Sequence, residues 1–237
     1  MELIWQGLAK AVELVFGFDA EVWSITWLSI EISGAATLVS LLLGIPLGIA
    51  LALARFPGRA FLAALVNTGM GLPPVVVGLF VSIFLWRSGP LGFLDLIYSP
   101  AAMVLAQVII AWPIVAGLTM ASFQSLDPKL SLQLLGIGAS RPQLWWLLCK
   151  EARLPLLAAV MAGFGGVISE VGASMMVGGN IRGQTRVLTT ATVLETGKGN
   201  FDIAIALSLI LLALTFAINV FLTRIQQREY LRWPRHF

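Results

Sequence analysis

Five apolar stretches, at 28–54, 60–85, 101–123, 154–177 and 203–223, are each long enough to cross a hydrocarbon core of about 30 Å, which takes about 20 helical residues. Lipid offers backbone N–H and C=O groups no partner, so each segment must satisfy its own, and a chain built this way is driven to an all-α, polytopic membrane fold. Composition agrees, with 58% of the 237 residues hydrophobic and 11% charged. An odd number of spans places the termini on opposite sides.

Orientation follows from Lys and Arg, which resist translocation near span ends. With the C-terminus inside, Arg55, Arg59, Lys129, Arg141, Lys150, Arg153, Arg224, Arg228, Arg232 and Arg235 fall on the inner side, against Lys10, Arg87, Arg182, Arg186 and Lys198 outside. That split sets N-out, C-in. The inner cations account for the net charge of +3, suit anionic lipid headgroups and call for no nucleic acid. A single cysteine, Cys149, forms no disulfide within the chain and reads as a small packing residue.

Residues 1–20 read as an interfacial amphipathic helix on the outer face. Leu3, Ile4, Leu8, Ala11, Val12 and Val15 recur at helical spacing while Gln6, Lys10 and Glu13 gather on another face, with Trp5, Trp23 and Trp27 marking the headgroup belt. Residues 21–225 form the transmembrane domain, and 226–237 a basic cytosolic tail.

Within the spans, Gly44 with Gly48 and Ala159 with Gly163 are small pairs that let helices approach closely. Prolines fall at Pro46, Pro73, Pro74 and Pro113, and the segment 69–78, GMGLPPVVVG, predicts a broken second span whose Pro73 and Pro74 are pathway candidates. Glu31, about one turn below the outer end of the first span, reaches the interface. Glu170 lies inside the fourth span, where an unpaired charge costs about 3 kcal/mol on insertion scales. It must be hydrogen-bonded, protonated or wet. An interhelical hydrogen bond is the favoured role; a pathway role with neighbouring Ser169 and Gly172 is the alternative.

After that span, the Gly-rich segment 177–186 carries Asn180, Arg182 and Arg186 on the outer side. Glycine lets backbone N–H groups converge on an anion, and Arg offers a fork that suits oxyanions. The segment therefore reads as an oxyanion entry site, a contact for an acidic partner, or a turn with solvated cations.

Enzyme chemistry is missing from the sequence. His236 is the only histidine, no cluster suits a metal, and Gly197-Lys198 is followed by Gly199 rather than by the Ser or Thr of a phosphate loop. A chain that binds no cofactor draws its energy from a partner or a gradient.

Segment 124–153 offers the partner. Asp127-Pro128 is a helix start, and a helix–turn–helix along the inner face would expose Leu132, Leu134, Leu135, Leu144, Trp145 and Trp146, more apolar surface than one membrane face hides. Gly138-Ala139-Ser140 at its centre, Leu154-Pro155 beyond it, Ser169-Glu-Val-Gly-Ala173 and Val177-Gly-Gly-Asn-Ile181 together resemble the permeases of molybdate and tungstate ABC importers. Gly71-Leu-Pro-Pro-Val-Val-Val-Gly78, Arg87-Ser-Gly-Pro-Leu-Gly92 and Ile168-Ser-Glu-Val-Gly-Ala173 are similar to the tungstate type. The chain departs from the general importer pattern in having Leu132-Gln133-Leu134 where Glu-Ala-Ala is usual, and in placing Leu154-Pro155 about one turn late.

The resemblance implies a homodimeric pore, each copy seated by Leu134, Leu135, Gly138, Ala139, Ser140 and Arg141 on a cytosolic ATPase dimer that carries the ATP and Mg. An extracytoplasmic binding protein would deliver the oxyanion, tungstate by this likeness, with molybdate or sulfate as alternatives. A gradient-driven secondary transporter and a non-transporting membrane scaffold stay open as other classes, although the five spans show no repeat of the kind the former uses.

Overall fold

The computed structural model describes residues 2–231; Arg232, Arg235 and His236 of the basic tail lie outside the described residues, as do the side chains of Leu3, Ile4 and Arg228. The described residues form eleven helices and a short 3-10 turn at Gly92–Leu94, with no strand among them. The helices are α1 (Glu2–Phe16), α2 (Ala20–Leu53), α3 (Arg59–Gly69), α4 (Pro74–Leu85), α5 (Pro100–Gln124), α6 (Pro128–Gly136), α7 (Arg141–Glu151), α8 (Arg153–Ile168), α9 (Gly172–Gly178), α10 (Leu188–Lys198) and α11 (Phe201–Leu231).

Three helices, α2, α5 and α11, are individually long and apolar enough to cross a membrane, and bent pairs bring the number to as many as five. The second apolar stretch is broken where its glycines and prolines predict, with α3 and α4 meeting at 104°. Pro74 opens α4, the position where a missing N–H costs nothing. The fourth stretch is not one helix. It divides at Ser169-Glu170-Val171 into α8 and α9, and α8 meets α7 at 67°.

The centre of the bundle is α2 against α5, made close by the predicted glycines. A Cβ on Gly44 would stand 2.9 Å from the Trp112 carbonyl oxygen, and one on Gly48 2.5 Å from that of Ala116. Gly163 of α8 packs on Val115 of α5 in the same way, 2.8 Å from a built Cβ, and Ala159 is buried beside it. Small residues thus exchange side-chain volume for backbone proximity on both sides of α5.

Helix ends explain the remaining boundaries. Asp19 accepts the Val22 N–H at 2.9 Å and starts α2 eight residues before the apolar stretch begins. Glu31 therefore sits eleven residues into α2, about 16 Å from its start, on an exposed stripe with Trp27 and Leu38. At the other end Arg59 donates through Nε to the Leu51 carbonyl at 2.6 Å, satisfying an orphan acceptor of the last turn. α1 docks lengthwise on α11 through Gly7, whose built Cβ would meet Ile205 Cγ2 at 2.3 Å, and leaves Trp5, Leu8, Val12 and Phe16 exposed.

Candidate functional site

The ends of α2 and α5, the start of α8 and the pair α6–α7 gather at one end of the bundle around Ile49, Phe123, Leu148 and Ala152. Asp127 caps α6 by accepting the Lys129 N–H at 2.9 Å. The helix closes in a double bond across its C-terminus: Ala139 N–H to Leu134 O and Gly138 N–H to Leu135 O, both 3.0 Å, with Gly138 at φ 87°. That left-handed stop is a glycine position. Gln143 then reaches back to accept the Ser140 N–H at 2.8 Å, so α7 begins with Arg141 directly after the elbow. Segment 137–140 is thereby a fixed corner.

This corner sorts the predicted coupling residues. Leu134 and Leu144 turn inward and pack on the Ile49–Phe123 cluster, as does Cys149. Leu135 is exposed, and the outward surface is completed by Leu132, Ile137 and Trp146, with Ile137 82% exposed. Leu134 serves the fold, and Ile137, which the sequence did not single out, stands at the tip. Lys150 lies over the Trp146 ring, 5.3 Å from its centroid, a cation–π contact on that face.

The opposite end carries α9, the loop 179–187 and α10. Its arginines have a partner that sequence reading missed: Glu21 in the first turn of α2 accepts from Arg182 Nη2 and, at 3.3 Å, from Arg186 Nη1. The hydrogen bond to Glu21, then its charge, raises the Arg182 pKa further above its usual value. Several of the loop's amides are engaged within the loop itself. Those of Gln184, Thr185 and Arg186 all donate to Ile181 O, the Ile181 N–H goes to the Thr185 hydroxyl at 2.9 Å, and that hydroxyl donates to Gly178 O. Asn180, at φ 52°, donates to Thr190 O at 3.3 Å and ties the loop to α10. Of the two arginines Arg182 is the exposed one, its side chain 72% exposed against 17% for Arg186.

Between the two ends, the break in the fourth stretch meets the break in the second. A Cβ on Gly172 would come 2.8 Å from Val75 Cγ2, and one on Gly78 2.7 Å from Ala173 Cα, so α4 and α9 touch backbone to backbone beside Pro73 and Pro74. Glu170 is 8% exposed, and its Oε1 accepts the Ala173 N–H at 2.8 Å. The carboxylate caps α9 locally rather than bridging two long helices as the sequence suggested. Ser169 beside it is exposed and donates to Gly165 O at 2.7 Å. Val75, Val76, Leu79 and Phe80 of α4 form an exposed apolar face at the same level.

Residues 44–229 match the family of binding-protein-dependent transport system inner membrane components. The chain belongs to that family. It is an ABC importer permease subunit, a multi-pass inner-membrane protein, and members of its family work with an ATPase and a binding protein. This permease is 38% identical to the tungstate uptake system permease protein of Peptoclostridium acidaminophilum, over 96% of this chain and 100% of that one. It is 40% identical to a probable anion ABC transporter permease protein of Haloferax volcanii, over 86% of this chain and 90% of the other. Its fold matches that of the inward-facing MetNI methionine ABC transporter with a TM-score of 0.72, at 18% identity, covering 89% of this permease and 94% of the solved chain.

Proposed function

We propose that this permease imports tungstate as a homodimer, with its α6–α7 corner seated on a cytosolic ATPase dimer that binds ATP and Mg, and its Arg182 rim facing an extracytoplasmic binding protein. The observation that carries the cargo assignment is the 38% identity to a tungstate uptake permease over nearly the whole chain. The orientation is N-out, C-in. Arg55, Arg59 and the corner share the inner end, and the Glu21–Arg182–Arg186 group lies at the outer end.

The mechanism follows from a braced corner and two breaks in the apolar stretches. ATP-driven closure of the ATPase pair draws the two corners together, and Leu135 and Ile137 transmit the displacement because the glycine stop and the Ser140–Gln143 bond hold the elbow as one piece. The α4–α9 contact joins both breaks and moves with it. The oxyanion passes between copies along the exposed α4 face near Pro73, Pro74 and Ser169. Glu170 and Gly172 shape the break behind that face, and Glu170 itself is occupied as a cap. The chain catalyses no reaction of its own.

Deletion of the gene in its host, followed by elemental analysis of cells grown with equal tungstate and molybdate, tests the reading. Loss of cell tungsten restored by a plasmid copy is the expected result. Unchanged tungsten with lost molybdenum moves the assignment to the alternative oxyanion.

A further inference from the structure

Where α2, α5, the Ser169–Val171 break and α10 meet, a cavity of about 10 Å³ is lined by Ser29, Ser33, Gln107, Glu170 and Thr189. The polar lining is deeply buried: Ser33 is 4% exposed, Gln107 3% and Glu170 8%. Most of its groups are spoken for. The Ser29 hydroxyl donates to Ile25 O at 2.7 Å and accepts the Leu188 N–H at 2.9 Å, Thr189 donates to Glu170 O at 3.1 Å, and Gln107 Nε2 donates to Ser174 Oγ at 3.1 Å.

Three groups of this polar lining are left over. Gln107 Oε1 is buried without a partner, Glu170 uses only Oε1, and the Ser33 hydroxyl makes no hydrogen bond. Buried acceptors without partners are rare and costly, above all in a membrane interior. The cavity matches the roughly 10–15 Å³ that one water needs and is far too small for a tetrahedral oxyanion.

We propose that this cavity binds one structural water, which donates to Gln107 Oε1 and to the second Glu170 oxygen and accepts the Ser33 hydroxyl proton. The water supplies two donors to two acceptors and one acceptor to one donor. A hard cation takes about six oxygens, more than these side chains leave free, and would repel the Ser33 proton. Bound there, the water links α2 to the break that starts α9 and adds to the direct Gln107–Ser174 bond that already joins α5 to α9.

A map of the complete transporter in nanodiscs that resolves ordered water is the test. A single peak within hydrogen-bond distance of Gln107, Glu170 and Ser33, unchanged when choline replaces sodium, is expected. No peak among ordered side chains, or a peak that vanishes in choline, overturns the proposal. Ser33→Val fills the space, and Gln107→Leu removes the acceptor together with the bond to Ser174; each is expected to lower the melting temperature of the complex by about 5 °C. Because both lose the same water, the double variant falls by less than the sum, and strictly additive losses contradict a shared water. Should the variants fail to assemble, the wild-type map still separates a bound water from an empty cavity.

Discussion

Glu170 folds back on the helix that follows it, its Oε1 accepting the Ala173 N–H at 2.8 Å. A carboxylate inside an apolar stretch thus serves as the first cap of α9, at the point where the fourth apolar stretch breaks. Glu170→Gln keeps a carbonyl acceptor in place and should assemble and transport at near wild-type levels. Glu170→Leu removes the cap and should cost about 1 kcal/mol, read as a lower unfolding midpoint. Transport lost equally in both variants would instead make the charge itself essential.

One carboxylate, Glu21, holds both arginines of the outer loop. Glu21→Gln weakens its hold on Arg182 and Arg186, and the exposed Arg182 pair is worth up to about 1 kcal/mol, so tryptic cleavage after Arg182 in intact cells or right-side-out vesicles should quicken by up to about fivefold. Inverted vesicles should show none until permeabilised. Cleavage from the inner side would refute N-out, C-in.

Glu195 closes α10, accepting from Asn200 Nδ2 and Lys198 Nζ, both at 2.7 Å, and the Asn200 bond followed by the Lys198 bond holds its pKa below the usual 4.5. A depressed carboxylate pKa adds stability that is present above the unfolded value and lost as pH falls through the folded one. Hydrogen-exchange protection of the Gly199 and Asn200 amides should therefore hold from pH 7 to about 5, after correction for intrinsic rates, and decline below about 4.5. Glu195→Gln should flatten that profile; an unaltered decline would assign it to another group.

Among the described residues, its two chain neighbours aside, nothing lies within 4 Å of a Cβ built on Gly138, although its φ of 87° strains any L-residue. Gly138→Glu should therefore insert and fold at a cost of about 1–2 kcal/mol while pushing a carboxylate outward from the corner. Normal membrane levels with lost binding-protein-stimulated ATP hydrolysis are expected in the reconstituted complex. Full stimulation would remove the corner from coupling.

Much of this was legible in the sequence because lipid leaves few choices. Apolar length marked three spanning helices and the broken second stretch but not the division of the fourth into α8 and α9, Gly69 to Pro74 marked the 104° break, and Asp127 and Gly138 marked the corner's cap and turn. The misses have local causes. α10 is rich in threonine and lacks an apolar period; Leu188 bonding Ser29 and the left-handed Gly199 hold it helical. Gly199 after Lys198 was the one stop signal available for it. Glu21 lies 161 and 165 residues from its arginines, and no local pattern predicts so distant an ion pair. Leu134 and Leu135 looked alike in sequence, and only the packing of α6 turned one inward and the other out.

The most direct test of ATP-driven oxyanion import is accumulation in proteoliposomes holding this permease, its ATPase and its binding protein, offered tungstate, molybdate and sulfate together with ATP on the ATPase side. Tungsten rising above molybdenum and sulfur only with ATP is the predicted result. Accumulation of none of the three, by a complex that assembles and hydrolyses ATP, would contradict it.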